Sequence, residues 1–339
     1  MPPLRALASS CCVAILLTLP ACTPAPQEAT LTLYSARAEH LIRPLLDAYQ
    51  AQSGVRIELL TDSAASLSER LAREGEGSPA DLLMTVDAGN LWHAAERGLL
   101  QPVDSAALAE AVPEHLRDPQ GRWYALSLRL RTMVYRDGAV QPGELSHYRD
   151  LAEPRWRGRL CLRTSKKIYN QSLAAMLLDA YGSDQTLAIL KGWVANLAEE
   201  PFSSDTLALR AVADGVCDVT LVNTYYLARL VIEDPETPLR LKWAEADGDM
   251  GLHVNISGAG IARHAPHPEA ARAFLEWLLS PEAQRIYAET GLEHPVRADI
   301  PLHPVLRDWG AFTPDQRPLL RSGELQAEAV QLMQQAGYR

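Results

Sequence analysis

Two adjacent tyrosines, Tyr225 and Tyr226, are the residues whose type and placement first suggest chemistry. They stand in Val222-Asn-Thr-Tyr-Tyr-Leu227, after the apolar run Cys217–Val222 and in the first turn of a helical pattern from Thr224 to Val231. Ligands of α/β proteins gather where strands end and helices begin. A phenolate is a hard anionic oxygen donor, suited to a hard trivalent cation rather than to a soft metal. A free phenol has a pKa of about 10, so only a strongly charged cation ionises it near neutral pH. Packing at a domain rim is the ordinary alternative for such a pair. Tyr169, in Tyr169-Asn-Gln-Ser172, occupies a second junction of the same kind, just after Arg159-Leu-Cys-Leu-Arg-Thr-Ser165.

Other chemistries find less support. The sequence has no Gly-x-Ser-x-Gly elbow, no P-loop, no His-Glu-x-x-His and no dinucleotide fingerprint. Ser257-Gly-Ala-Gly260 lacks the Lys-Ser/Thr of a phosphate cradle and fits a tight turn or a crossover strand. No nearby His or further Cys completes a tetrahedral metal site around Cys161 and Cys217.

The elements that must position these tyrosines alternate between strand and helix. Leu31–Tyr34 reads as a strand and Glu39–Gln52 as a helix, with Leu41, Ile42, Leu45, Leu46 and Tyr49 on one face and Gly54 as its stop. Val55–Leu60 and Asp81–Val86 are further strands. Ser66–Arg73 and Ala88–Arg97 are helices, the second ending at Gly98. The second half repeats the pattern. It has strands at Arg159–Leu162 and Cys217–Val222 and helices at Tyr169–Tyr181, Asp184–Leu197, Thr206–Ala213 and Thr224–Val231. Pro268–Leu279 and Pro281–Thr290 follow, each with Pro in its first turn. Such alternation predicts a mostly parallel sheet covered by helices, in two α/β units with a cleft between them.

The order of short motifs resembles the bacterial ferric-iron-binding proteins, the extracytoplasmic receptors of iron ABC transporters. It runs from Tyr34-Ser-Ala-Arg37 through Ser78-Pro-Ala-Asp81, Thr85-Val-Asp-Ala-Gly89, Gly98-Leu-Leu-Gln-Pro102, Trp156-Arg-Gly-Arg159 and Tyr169-Asn-Gln-Ser172. It continues through Asn223-Thr-Tyr-Tyr226 and His253-Val-Asn-Ile-Ser-Gly-Ala-Gly260 to Leu279-Ser-Pro-Glu-Ala-Gln284. The resemblance implies a two-lobed type II periplasmic-binding-protein fold with an interlobe cleft and hinge strands. Residues 31–128 with about 252–302 would form lobe 1, and about 129–251 with 303–339 lobe 2.

It also implies a site. Tyr169, Tyr225 and Tyr226 would bind Fe(III), and Arg129, with Arg131 as fallback, would hold a synergistic carbonate. Many relatives place His-Tyr or His directly after the Tyr-Ser-Ala-Arg-like stretch. Here Ala38 and Glu39 stand there, with His40 one step later. Glu39 is a chemically reasonable hard ligand, or a surface acid in a helix's first turn; His40 is the other candidate. Lys166 and Lys167 stand where relatives have smaller polar residues. Export and the resemblance both favour a Cys161–Cys217 disulfide. The implied function is capture of Fe(III) for delivery to an ABC permease, by a monomer. The departure at Ala38-Glu39 keeps an anionic organic solute or a metal chelate open as cargo. An enzyme on the same scaffold would need a nucleophile–base motif that the sequence lacks.

The N-terminus accords with export. A short positive start, an apolar stretch from Leu7 to Leu19 and Leu19-Pro-Ala-Cys22 describe a secretory signal over 1–21, too short to span a bilayer. The small residue before Cys22 resembles a lipoprotein lipobox. Cys22 would then be lipidated, placing the protein in the periplasm or on the cell-envelope surface; plain cleavage with a free Cys22 is the alternative. Residues 22–30 read as a tether. The net charge is −10 over 339 residues, and −11 once the signal and its Arg5 leave. That balance disfavours nucleic acid. Tyr numbers 11 against 3 Phe, more hydroxyls than packing alone needs.

Overall fold

The computed structural model describes residues 30–141, 143–248 and 250–339. The expected signal segment, Cys22 and the tether lie outside them, apart from Thr30, which opens the first strand. Among the described residues nine strands form one sheet: β1 (Thr30–Ser35), β2 (Arg56–Thr61), β3 (Leu82–Thr85), β4 (Tyr124–Arg136), β5 (Leu160–Cys161), β6 (Val219–Asn223), β7 (Leu239–Lys242), β8 (His253–Ile261) and β9 (His294–Pro295). Their order is β2-β1-β3-β8-β4-β6-β5, with β7 and β9 pairing on β4.

The mostly parallel sheet expected from strand–helix alternation is corrected here. Parallel pairing is confined to β1 with β2 and β3 at one end and to β5 with β6 at the other. Between them β3–β8, β8–β4 and β4–β6 are antiparallel. The physical reason is connectivity. Tyr124–Arg131 of β4 pairs with β8 in one half, and Arg131–Tyr135 pairs with β6 in the other. β4 carries the chain across and β8 returns it, so the two crossings run in opposite directions. Ser257-Gly-Ala-Gly260 lies within β8, as a crossover strand. A Cβ at Gly258 would sit 2.8 Å from the Tyr124 carbonyl oxygen, and one at Gly260 2.3 Å from that of Arg122. Glycine is needed there for close backbone approach.

The helices follow their apolar faces. In Glu39–Ser53, Ile42, Leu45, Leu46 and Tyr49 are buried, and Gly54 stops the helix at φ 72°. The two helices expected on either side of residues 182–183 are both present within the span Ile168–Ala195, separated at Gly182, whose φ of 75° is non-helical. The helix expected over Pro281–Thr290 ends at Ile286 and gives way to a π turn, Tyr287–Gly291. Leu292 follows at φ 53°, the one non-glycine with positive φ among the described residues. Helices Pro304–Asp308 and Leu320–Glu324 have five residues each, too few to show a period in the sequence. The C-terminal segment reaches both halves. Gly323 packs on Trp92 so closely that a Cβ would overlap it, and the Gln326 side chain bonds both His93 and Gln171. Cys161 and Cys217 form a disulfide with a Cα–Cα distance of 5.9 Å. No helix among the described residues is long and apolar enough to cross a membrane.

Candidate functional site

β6 is buried along its whole length and ends at Asn223, the N-cap of helix Thr224–Glu233. Tyr225 and Tyr226 therefore emerge in the first turn of that helix, their ring centroids 4.5 Å apart. Tyr169 is the second residue of helix Ile168–Ala195, entered just after β5. Both junctions open toward β4, where Arg129 lies. Arg129 Nη2 donates to the Tyr169 hydroxyl at 3.1 Å and to the Tyr225 hydroxyl at 2.5 Å. Asn223 Nδ2 adds a second donor to Tyr225 at 2.7 Å. The structure thus gathers Tyr169, Tyr225, Tyr226 and Arg129 in one place, with Tyr225 and Arg129 buried and Tyr226 half-buried.

The electrostatics separate the three phenols. Burial raises the pKa of Tyr169, but the charge of Arg129, a hydrogen bond with Tyr225 and the charge of Lys167 outweigh it, leaving Tyr169 below its ordinary value. Tyr225 stays well above its ordinary value through burial, despite Arg129 and because of the neighbouring phenols. Tyr226 is raised by burial and by Tyr169. Of the three phenols, Tyr169 therefore gives up its proton most easily, and Tyr225 and Tyr226 resist ionisation. A cluster of this kind reaches full ionisation only when a strongly positive species arrives.

Cations surround the rings. Arg129 lies 4.6 Å from the Tyr225 ring centroid, Arg229 5.1 Å from Tyr225 and 5.9 Å from Tyr226, and Arg163 and Lys167 5.6 and 5.8 Å from Tyr169. This local positive character is opposite in sign to the net charge of the chain. Lys166, by contrast, is exposed.

Arg131, the fallback anion binder, lies behind the tyrosine cluster. Strand alternation does turn it to the same face as Arg129, but both Nη atoms of its fully buried guanidinium are engaged by protein groups. It meets Asp205 at 3.2 Å and donates to Asn223 Oδ1 at 3.1 Å, Asn170 Oδ1 at 2.6 Å and the Leu221 carbonyl at 2.8 Å. Asn170 adjoins Tyr169, and Asn223 holds the Tyr225 hydroxyl. Arg131 thus frames both tyrosine-bearing junctions from behind. The C-terminus supports the same frame, with the Tyr338 hydroxyl donating to the Arg163 carbonyl at 2.6 Å.

Glu39 and His40 are not brought to this cluster. Both are exposed, and Glu39 is paired with Arg43 one turn along its helix. Sequence reasoning missed Glu293. Its carboxylate is fully buried against Arg129, Arg37, Ser127 and Ser257. Burial would raise its pKa, but Arg37 and Arg129 pull it down to about 2. The sequence signal for it was slight: a lone acid in a turn, with its partners 128 or more residues away from one another in several cases, as for Ser257 and Arg129. No group of three or more His, Cys, Asp or Glu among the described residues could hold a metal ion.

Comparison with known proteins follows the same lines. The model of bacterial extracellular solute-binding proteins matches residues 31–293. Iron uptake protein A1 of Synechocystis is 41% identical over 324 residues, 94% of this chain and 89% of the relative. Trichodesmium IdiA (FutA), solved with iron and citrate ligands, superposes with a TM-score of 0.86 at 41% identity, over 92% of this chain and 100% of that one. The ferric binding protein of Campylobacter jejuni does so with a TM-score of 0.85 at 32% identity, over 91% and 100%. These likenesses carry the two-lobed type II periplasmic-binding-protein fold.

Proposed function

The chain belongs to the bacterial extracellular solute-binding protein family, and from that premise we propose that it captures Fe(III) between its lobes on the phenol oxygens of Tyr169, Tyr225 and Tyr226, for delivery to an ABC permease. The observation that carries this reading is the meeting of three phenols from two strand-to-helix junctions around one guanidinium. Three phenolates match a 3+ ion in charge and in hardness, which offsets the cost of taking the ion out of water. The named relatives that bind or take up iron support the same cargo.

The crossing strands β4 and β8 suit a hinge, dividing the chain near residues 128 and 252. A ligand from the other lobe, Glu39 or His40, would join only on closure. Carbonate as a partner of the iron would need Arg129, whose Nη1 already engages Glu293. Location in the periplasm with a lipid anchor at Cys22, and action as a monomer, complete the proposal.

The test is optical. Fe(III) added to the apo-protein should produce a visible phenolate-to-iron charge-transfer band, and Tyr225→Phe should weaken and shift it. Absence of colour in the wild type, or an unchanged band in the variant, overturns the reading. The ring of cations favours a second reading, an anionic iron chelate as cargo. Calorimetry with citrate alone and with ferric citrate separates the two: tight binding of iron-free citrate supports the second.

A further inference from the structure

We infer that the cavity beside His253 is a binding site for one water molecule, which accepts a hydrogen bond from His253 Nδ1 and joins the crossing strand β8 to the carboxylates packed against it. The inference stands whatever the cargo of the cleft.

The directions of the buried hydrogen bonds decide where the His253 proton lies. On β8, Asn255 Oδ1 accepts from the backbone N–H of Ala88 at 3.0 Å and of Ile256 at 2.8 Å. Two backbone donors at one end fix the amide, so Nδ2 is the other end. Nδ2 donates to Asp87 Oδ2 at 2.7 Å and to Ser172 Oγ at 3.0 Å. Ser172 accepts that bond and turns its own hydrogen to His253 Nε2, 3.0 Å away. Nε2 is then an acceptor. Burial first, then Arg131, lowers the pKa of His253 to about 3, so the ring is neutral at neutral pH. A neutral imidazole carries one N–H, and here it is on Nδ1.

That N–H has no protein acceptor. His253 is 2% exposed, and its Nδ1 makes no hydrogen bond among the described residues. Buried polar atoms are rarely left so. His253 lines a cavity of about 20 Å³ together with Asp179, Asp315, Arg317 and Arg321. A water needs roughly 10–15 Å³ of such space and two or more polar partners. The cavity meets both needs and is too small for an organic molecule.

Charge selects water over an ion. Arg317 donates to Asp315 at 2.6 Å and to Asp179 at 3.4 Å, and Arg321 donates to Asp179 at 3.0 Å. Two guanidinium groups balance two carboxylates, and the ring is neutral. An ion would bring an uncompensated charge into a buried place. Water can also accept from Nδ1 and donate to a carboxylate, whereas a halide can only accept.

The water completes a directed chain. It runs from Asp87, the N-cap of helix Ala88–Glu96, through Asn255 of β8 and Ser172 of helix Ile168–Ala195 to His253, and then to Asp315 in the C-terminal segment. Helices from both halves, the crossing strand and that segment are held by one set of buried polar groups. His253 cannot turn over without leaving two of them unpaired.

Two measurements on the intact, iron-free protein test this. A crystal structure from crystals grown with bromide as the sole halide should show one ordered peak within hydrogen-bond distance of His253 Nδ1, without an anomalous bromide signal. No ordered density in the cavity, or bromide in it, overturns the inference. Nuclear magnetic resonance of protein with isotope-labelled histidines should show, at neutral pH, one ring with its proton bonded to Nδ1 and a cross-peak from that proton to water. The signal is assigned by its loss in His253→Gln. A His253 ring protonated on Nε2 overturns the inference. If His253→Gln does not fold, the crystal structure, which needs no variant, still decides.

Discussion

Replacing Arg131 by Met separates two roles that its sequence position left open, anion binding and internal framing. The guanidinium is fully buried and has four kinds of partner: Asp205, Asn170, Asn223 and the Leu221 carbonyl. At about 1 kcal/mol for each net hydrogen bond, their loss costs about 4 kcal/mol. A second route starts from the ion pair. Removing one partner of a buried pair costs about 3–5 kcal/mol because the other charge is left uncompensated. Arg163 Nη1 stays 3.7 Å from Asp205, so the lower end applies. Both routes give about 3–4 kcal/mol. Urea unfolding followed by far-ultraviolet circular dichroism should show the midpoint falling with an unchanged slope. Arg131→Met combined with Asp205→Leu should recover much of the loss, since a buried pair replaced by apolar groups is often neutral. The ferric band should also weaken, because Asn170 and Asn223 no longer hold the two tyrosine junctions. An Arg131→Met protein within about 0.5 kcal/mol of wild type refutes the framing role.

Two other perturbations have worked expectations. Cys161→Ala with Cys217→Ala opens a loop of sequence separation 56 and should cost about 4 kcal/mol in the chain-entropy account, read as a lower unfolding midpoint that reducing agent no longer changes. His253 is buried beside Ser172 and the hinge, with Arg131, Asp315 and Arg317 near it; burial first, then Arg131, lowers its pKa from 6.5 to about 3. A histidine lowered on folding binds its proton in the unfolded chain first, so stability is full above pH 6.5 and falls below it. About 3 kcal/mol should be lost between pH 6.5 and pH 4. His253→Gln should flatten that part of the pH profile; an unchanged profile overturns the assignment.

The alternation of strands and helices was legible because each helix buries one apolar face and each strand is short, as with Ile42, Leu45, Leu46 and Tyr49. The antiparallel centre of the sheet was not legible. A crossing strand has the same local composition whichever way its neighbour runs, and direction is set by a connection of more than a hundred residues. Tyr169, Tyr225 and Tyr226 could be singled out by type and by their junctions, since a phenol's donor chemistry belongs to the residue itself. Arg129 and Arg131 could not be told apart. Two residues apart on one strand they share a face, and only the partners brought from β6, helix Ile168–Ala195 and Glu293 distinguish a guanidinium at the site from one behind it.

The sequence by itself determined the donor types, the strand–helix junctions that present them, the glycines that permit close strand crossing and the cysteines able to pair. Those properties are local: side-chain chemistry, periodicity and backbone freedom act within a few residues. Tertiary structure alone decided the sign of the field around the tyrosines. The chain is acidic overall, yet folding assembles Arg129, Arg163, Arg229 and Lys167 around three rings and sets Glu293 against Arg129 and Arg37. Electrostatic energy depends on distance and burial in the folded state, and neither is written in the order of residues.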